Sequence, residues 1–170
     1  AITQAALFEL DGRKVGEVPL PGVGTAAGFS ARDGDPETFF SFSGFTAPST
    51  IYRFDTASGA VTLFARPRLA FAPDDFVTEQ VYYPSRDGTI IPMFIIRKRS
   101  LAASATPAPT ILYGYGGFNI SVTPGFSPAR LAWLEQGGVY AIANLRGGGE
   151  FGRAWHEAGR RANKQNVFDD

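Results

Sequence analysis

The sequence predicts a chain of two parts, the end of an all-β domain joined to the start of an α/β domain. Three observations predict it: short β-rich runs separated by turn residues before about residue 70, a tight hairpin over residues 76–99, and a strand, helix, strand, helix order from residue 110 onward.

The β-rich part contains "ITQAALFEL", "KVGEVPL", "GTAAGFSA", "ETFFSFSGF", "STIYRFD" and "AVTLFAR", with "DGR", "PG", "RDGDP", "TAPS" and "TASG" between them. In "STIYRFDTASGAVTLFA" apolar residues alternate on both sides of an Ala-Ser-Gly turn, the pattern of a hairpin. Four-stranded units carrying such hairpins are how propeller blades read, and roughly one and a half blades fit here. A sandwich shares the pattern, and no repeated Trp-Asp or kelch signature separates the two readings.

In "FVTEQVYYPSRDGTIIPMFIIRKR" two strands flank an Arg86, Asp87, Gly88 turn. "SLAASATPAP" follows as an exposed connection. "TILYGYGG" is a short buried strand running into glycine. "SPARLAWLEQGG" has a full set of helix signals, with Ser127 as N-cap, Pro128 in the first turn, apolar Leu131 and Leu134, and Gly137 and Gly138 as the stop. "VYAIANL" is apolar throughout, as a strand covered on both faces is. "RGGGE" is a tight passage to the next helix, with Arg146 and Glu150 expected to hold it by charge-assisted bonds. In that helix Phe151, Ala154, Trp155, Ala158 and Ala162 share one face, and Glu157 and Arg161 form a surface pair.

Composition narrows the function classes. Of 170 residues 44% are hydrophobic and 19% charged, with sixteen Lys and Arg against sixteen Asp and Glu, so no net field draws the chain to nucleic acid or to an anionic membrane. There is no cysteine, and no Asp/Glu pair or His cluster has metal-ligand spacing, so neither a metal nor another cofactor is expected. No apolar run approaches the roughly 18 residues of a membrane span, and "AITQAALFEL" lacks the basic start and cleavage site of a signal peptide. The first residues already read as a strand and "NVFDD" stops without a cap or polar tail, so both ends are expected to be cuts in a longer chain. With the start missing, cytoplasmic and periplasmic locations are both allowed.

The chemistry concentrates in "ILYGYGGFNIS", residues 111–121. In α/β sheets sites lie at the carboxyl ends of strands, and the loop after Tyr113 lies at such an end. Its glycines admit a ligand or positive φ. A neutral phenol such as Tyr113 or Tyr115, with a pKa near 10, can donate a hydrogen bond to a developing oxyanion, worth about 2.7–4 kcal/mol. The commoner role of such a tyrosine is in the core, its hydroxyl on a backbone carbonyl. Phosphate-cradling readings fail, because "GYGGFN" lacks the third glycine of a dinucleotide loop and "RGGGE" has no Lys-Ser/Thr after it. "GFSAR" around Ser30 and "GFSPA" around Ser127 do not fit the Gly-x-Ser-x-Gly nucleophile elbow. Ser127 is better read as a helix cap and Ser30 as a strand or turn residue. His156, the only histidine, is expected to be structural or on the surface.

"YGYGGFNIS", "ANLRGGGEFG", "AWHEAG" and "NKQNVFDD", in this order after a propeller-like region, resemble the prolyl oligopeptidase family, and "FTAPSTIYRFD" extends the likeness into the β half. The resemblance implies a seven-bladed β-propeller capping an α/β-hydrolase domain, in a monomeric serine peptidase that cleaves short peptides after proline. Residues 1–72 would then be the C-terminal blade region of the propeller, and residues 73–170 the N-terminal portion of the peptidase domain. It further implies that Tyr115 is the oxyanion-hole tyrosine and that Phe118 is an aromatic wall of the pocket for the substrate's proline. The family's catalytic serine, aspartate and histidine have no counterpart in these residues. Two alternatives stand beside this reading: a sibling branch that cleaves after Arg or Lys, and a propeller-based binding protein with an inactive hydrolase domain.

Overall fold

The computed structural model describes residues 2–102 and 107–170, so residues 103–106 of the expected connection lie outside the described residues. The described chain forms two compact units. One contains residues 2–71 with 123–127, and the other contains 72–122 and 128–170.

In the first unit, β1 (Ala6–Phe8) pairs with β2 (Lys14–Glu17) as an antiparallel ribbon. Then β3 (Thr25–Ser30), β4 (Glu37–Ser43), β5 (Thr50–Asp55) and β6 (Val61–Ala65) form an antiparallel meander in sequence order. The period of two is clearest in β4, where Thr38, Phe40 and Phe42 are buried and the residues between them are half-buried. Phe40 stacks on Phe29 at 4.6 Å and on Tyr52 at 5.5 Å between ring centroids. Val18, just past β2, joins Phe40, Phe42 and Phe54 in one core, so the ribbon packs against the meander. A four-stranded sheet plus a two-stranded ribbon is the blade and a half read from the turn spacing. Residues 123–127 return to this unit: the Thr25 hydroxyl donates to the Pro124 carbonyl at 2.7 Å, and the Phe126 ring stacks parallel to Phe71.

The second unit begins with a 3₁₀ turn, Pro73–Asp75, and continues with β7 (Phe76–Pro84) and β8 (Ile90–Lys98). After these come α1 (Arg99–Ala102), β9 (Thr110–Gly114), α2 (Pro128–Glu135) and β10 (Val139–Ala143). The unit closes with α3 (Gly152–Glu157), a 3₁₀ turn (Arg161–Asn163) and α4 (Gln165–Asp169). The sheet order is β7-β8-β10-β9, with β10 antiparallel to β8 and parallel to β9. Ile91, Phe94 and Ile96 of β8, Leu134 of α2 and Ala141, Ile142 and Ala143 of β10 are buried. The hairpin closes as expected: Ser85 N–H donates to the Thr89 carbonyl at 2.7 Å, and Gly88 takes φ 83°. Gly137 and Gly138 end α2, their N–H groups donating to the Leu134 and Trp133 carbonyls at 3.0 and 3.1 Å with φ 86° at Gly137, a Schellman motif.

Four expectations are corrected. β9 is exposed along its whole length rather than buried, because among the described residues it forms the sheet edge, with only β10 beside it. The last helix does not run through residue 162 but stops at Glu157. There the Trp155 carbonyl accepts from the Gly147 N–H at 3.0 Å instead of continuing the helical ladder, and the Gly159 N–H turns to the His156 carbonyl. Glu157 pairs with Arg160, at 2.6 and 2.7 Å, and not with Arg161. Arg146 and Glu150 both make charge-assisted bonds, but with other partners.

Arg146 is buried and reaches across the unit. Its Nη2 meets Asp170 Oδ1 at 2.5 Å, its Nη1 meets Asp87 Oδ2 at 2.6 Å, and its Nε donates to Asp170 Oδ2 at 2.9 Å. The network ties the β7–β8 turn to the "RGGGE" loop and to the end of α4. The Arg146 guanidinium, helped by the Thr89 N–H, holds the Asp87 carboxyl down at about 2. A depressed carboxyl contributes stability that is present above its unfolded value, near 3.9, and is lost as pH falls through the folded value. The thermal midpoint of the full-length protein is therefore expected to exceed that of Asp87→Asn at neutral pH, with the gap closing between about pH 4 and pH 2. A gap independent of pH would remove Asp87 from the network.

Candidate active site

β9 delivers the chain to Gly114, and the next residues form a loop that the structure fixes from three sides. Gly116 has φ 58°, and a Cβ there would stand 2.5 Å from Val167 Cγ1 and 2.8 Å from the Arg146 carbonyl oxygen. No other residue fits this combination of left-handed backbone and close packing. The Gly116 carbonyl accepts from Lys164 Nζ at 2.8 Å. The Gly117 carbonyl accepts from the Ile120 N–H at 3.0 Å across Phe118 and Asn119, whose φ values are 52° and 57°. Two successive positive φ values inside one such bond describe a type I′ turn. Glycine, asparagine and aspartate dominate those positions, so a phenylalanine there is strained by roughly 1–3 kcal/mol. Phe118 is 84% exposed, so no packing among the described residues of this unit compensates the strain.

The "RGGGE" loop backs this turn. The Asn119 N–H donates to the Gly147 carbonyl at 3.1 Å, and a Cβ on Gly147 would lie 2.6 Å from the Gly116 carbonyl oxygen. His156 Nδ1 approaches the same Gly147 carbonyl at 2.7 Å, which assigns the proton to Nδ1. Trp155 Nε1 donates to the Leu145 carbonyl at 3.0 Å. Glu150 Oε1 accepts from the Val122 N–H at 2.8 Å and from Asn144 Nδ2 at 3.2 Å, while the same amide donates to the Val122 carbonyl. Glu150 thus closes the far end of the loop that holds Tyr115 and Phe118.

Tyr115 is 42% exposed, and its hydroxyl has no hydrogen-bond partner among the described residues. The core role for this tyrosine is therefore absent from the unit. Tyr115 and Phe118 lie three residues apart in one braced loop at the carboxyl end of β9. The other candidates do not join them. Ser30 ends β3 in the first unit, Ser127 immediately precedes α2, and His156 is engaged with a backbone carbonyl rather than with a serine or carboxylate. Among the described residues no three His, Cys, Asp or Glu side chains gather as a metal site, and no helix is long and apolar enough to cross a membrane. Sequence reasoning missed Lys164, Asn119 and the Glu150–Asn144 clasp. Lys164 stands inside the quoted "NKQNVFDD", but nothing local says which carbonyl it meets 48 residues away.

Comparison with known proteins agrees with these features. Residues 1–67 match the model of the prolyl oligopeptidase N-terminal β-propeller domain, and residues 124–170 match that of the prolyl oligopeptidase family. The chain is 45% identical over 170 residues to the prolyl endopeptidase of Elizabethkingia miricola, covering 100% of this chain and 24% of that one. It is 42% identical over 167 residues to the prolyl endopeptidase of Dictyostelium discoideum, covering 96% of this chain and 22% of that one. A solved structure from a mechanistic comparison of two prolyl endopeptidases superposes with a TM-score of 0.90 at 52% identity, over 99% of this chain and 24% of the other. Prolyl oligopeptidase B from Galerina marginata, bound to a 35mer hydrolysis and macrocyclization substrate, superposes at 0.86 with 39% identity over 98% of this chain and 24% of its own.

The fold is therefore of the class that joins a β-propeller to an α/β-hydrolase domain, the end of the first and the beginning of the second. The chain belongs to the prolyl oligopeptidase family. It spans about a quarter of the length of the curated relatives it matches.

Proposed function

We propose that the full-length protein is a monomeric serine peptidase that hydrolyses short peptides on the carboxyl side of proline, with this chain supplying Tyr115 and Phe118 to the site. Residues 1–72 are its C-terminal blade region and residues 73–170 the first portion of its peptidase domain. The observation that carries the reading is the strained turn that leaves the Phe118 ring in the open beside Tyr115 at the end of β9. Strain kept where no packing offsets it points to a binding role. Similarity to prolyl endopeptidases along nearly the whole chain supports the substrate class.

The chemistry is acyl transfer. A serine from the remainder of the protein attacks the carbonyl carbon of the prolyl residue, and the carbonyl π pair moves to oxygen. The Tyr115 hydroxyl donates to that oxyanion together with a backbone N–H beside the serine. The intermediate collapses to an acyl-enzyme with loss of the amine, and water then releases the acid. The flat Phe118 ring suits the apolar face of the pyrrolidine, and such contacts contribute about 0.5–1.5 kcal/mol beyond area burial.

The test uses the full-length protein on chromogenic peptides differing only in the residue before the scissile bond, Pro, Ala, Arg or Lys. A large preference for Pro, abolished by a serine-directed phosphonylating reagent, is expected. Preference for Arg or Lys would move the protein to the sibling branch that cleaves after those residues, and no turnover would favour a binding protein with an inactive hydrolase domain. Phe118→Gly separates the ring from the fold. It relieves the positive φ, so the thermal midpoint is expected to hold or rise, while kcat/KM on prolyl peptides falls roughly 30-fold or more with the lost apolar contact. Undiminished activity would make Phe118 an ordinary turn residue.

A further inference from the structure

A cavity of about 470 Å³ opens beside the Phe118 turn, within the range of small-molecule sites. Phe118 forms its apolar side; Gly117, Gly159, His156, Arg160, Arg161 and Lys164 form the rest, and among the described residues no aspartate or glutamate lines it. These cations are not equivalent. Arg160 is committed to Glu157 through both Nε and Nη2, at 2.7 and 2.6 Å. Lys164 gives one N–H to the Gly116 carbonyl and retains two more donors. The Arg161 guanidinium has no hydrogen-bond or ion-pair partner among the described residues, and its backbone stands at φ 52°, the left-handed region that arginine rarely occupies. Arg161, Lys164, whose ammonium meets the Gly116 carbonyl and lies 5.7 Å from the Phe168 ring centroid, and the Phe118 ring form an amphipathic surface, apolar at one end and anion-seeking at the other.

We propose that this cavity is a carboxylate-accepting subsite, in which Arg161 and Lys164 bind the acidic side chain or the free C-terminal carboxylate of a peptide whose proline lies on Phe118. The inference rests on the proline-pocket reading of Phe118 and adds a charge preference to it. Arg161 offers the planar donor fork that matches a carboxylate, and Lys164 adds a second point charge. The site is open to water, so the effect is modest and sensitive to salt.

The experiment uses the full-length protein and matched prolyl peptides. One set carries Asp, Glu, Asn or Gln next to the proline, and a second set ends, one or two residues past the scissile bond, in a free or an amidated carboxyl group. Acidic peptides are expected to show roughly three- to tenfold higher kcat/KM than their neutral isosteres, mainly through KM, with the ratio shrinking toward one as salt rises. The set that shows the ratio identifies the source of the carboxylate. Arg161→Glu is expected to bring the ratio to one or below, and the salt dependence of the unaltered protein tests the same point should that variant fail to fold. Equal cleavage of acidic and neutral peptides at low salt overturns the subsite and leaves the proline specificity standing. Failure to cleave any prolyl peptide overturns both.

Discussion

Arg146→Met is expected to destabilise the second unit by roughly 3–5 kcal/mol, the cost of breaking a buried ion pair by removing one partner. Arg146 is 4% exposed, and the Asp170 side chain that accepts from its Nε, its Nη2 and its own backbone N–H is fully buried. Methionine fills much of the volume but leaves that carboxylate with the Ser85 hydroxyl and one N–H as its donors. Lysine is no substitute, because one ammonium cannot reproduce the fork that reaches Asp170 and Asp87 together. Urea unfolding of the full-length protein, followed through the first transition that loses peptidase signal, measures the effect. A change below about 1 kcal/mol would mean that the network is replaceable by packing alone. The loss would also reach the site, since the Arg146 carbonyl lies against Gly116.

Tyr115→Phe is expected to lower kcat by about 10²–10³-fold on prolyl peptides while leaving KM and the thermal midpoint near those of the unaltered protein. The separation follows from geometry. The phenol is exposed and bonded to nothing among the described residues, so its removal orphans no buried group in the resting state. Its one energetic role would come when charge develops on the carbonyl oxygen, which appears in kcat rather than in binding. Activity within twofold of the parent would exclude Tyr115 from the oxyanion hole. A fall in midpoint alongside activity would make it a structural tyrosine.

Much of the fold was legible because it is local. Alternation in β4, the Arg86-Asp87-Gly88 turn and the Pro128 to Gly138 signals all act within a few residues, and each formed where the pattern put it. The errors arose where a distant partner decides. Phe151, Ala154, Trp155, Ala158 and Ala162 keep helical spacing, yet the helix ends at Glu157 because the backbone of Leu145 to Gly147 claims the Trp155 carbonyl, the Trp155 indole and the His156 ring. Arg146 reads as a neighbour of Glu150, but its partners lie 59 and 24 residues away. The expectation for Tyr115 and Phe118 came from the resemblance of their motif. The left-handed turn that presents Phe118 was not foreseeable, because phenylalanine stands there against its backbone preference.

The open edge of the sheet has a further consequence. Thr110 to Gly114 show one side of their main chain to β10, and the other side, without a strand partner among the described residues, offers N–H and C=O groups to any strand that docks there. Tyr115 is the first residue past that edge, so the register of the docking strand sets how far the phenol stands from whatever the strand carries at its own end. A slip of one residue moves that distance by about 3.3 Å and turns every side chain of the strand to the opposite face. A hydrogen bond tolerates only a few tenths of an ångström. On the proposed role of Tyr115, alignment along the five residues of β9 would matter to catalysis alongside the identity of the tyrosine itself.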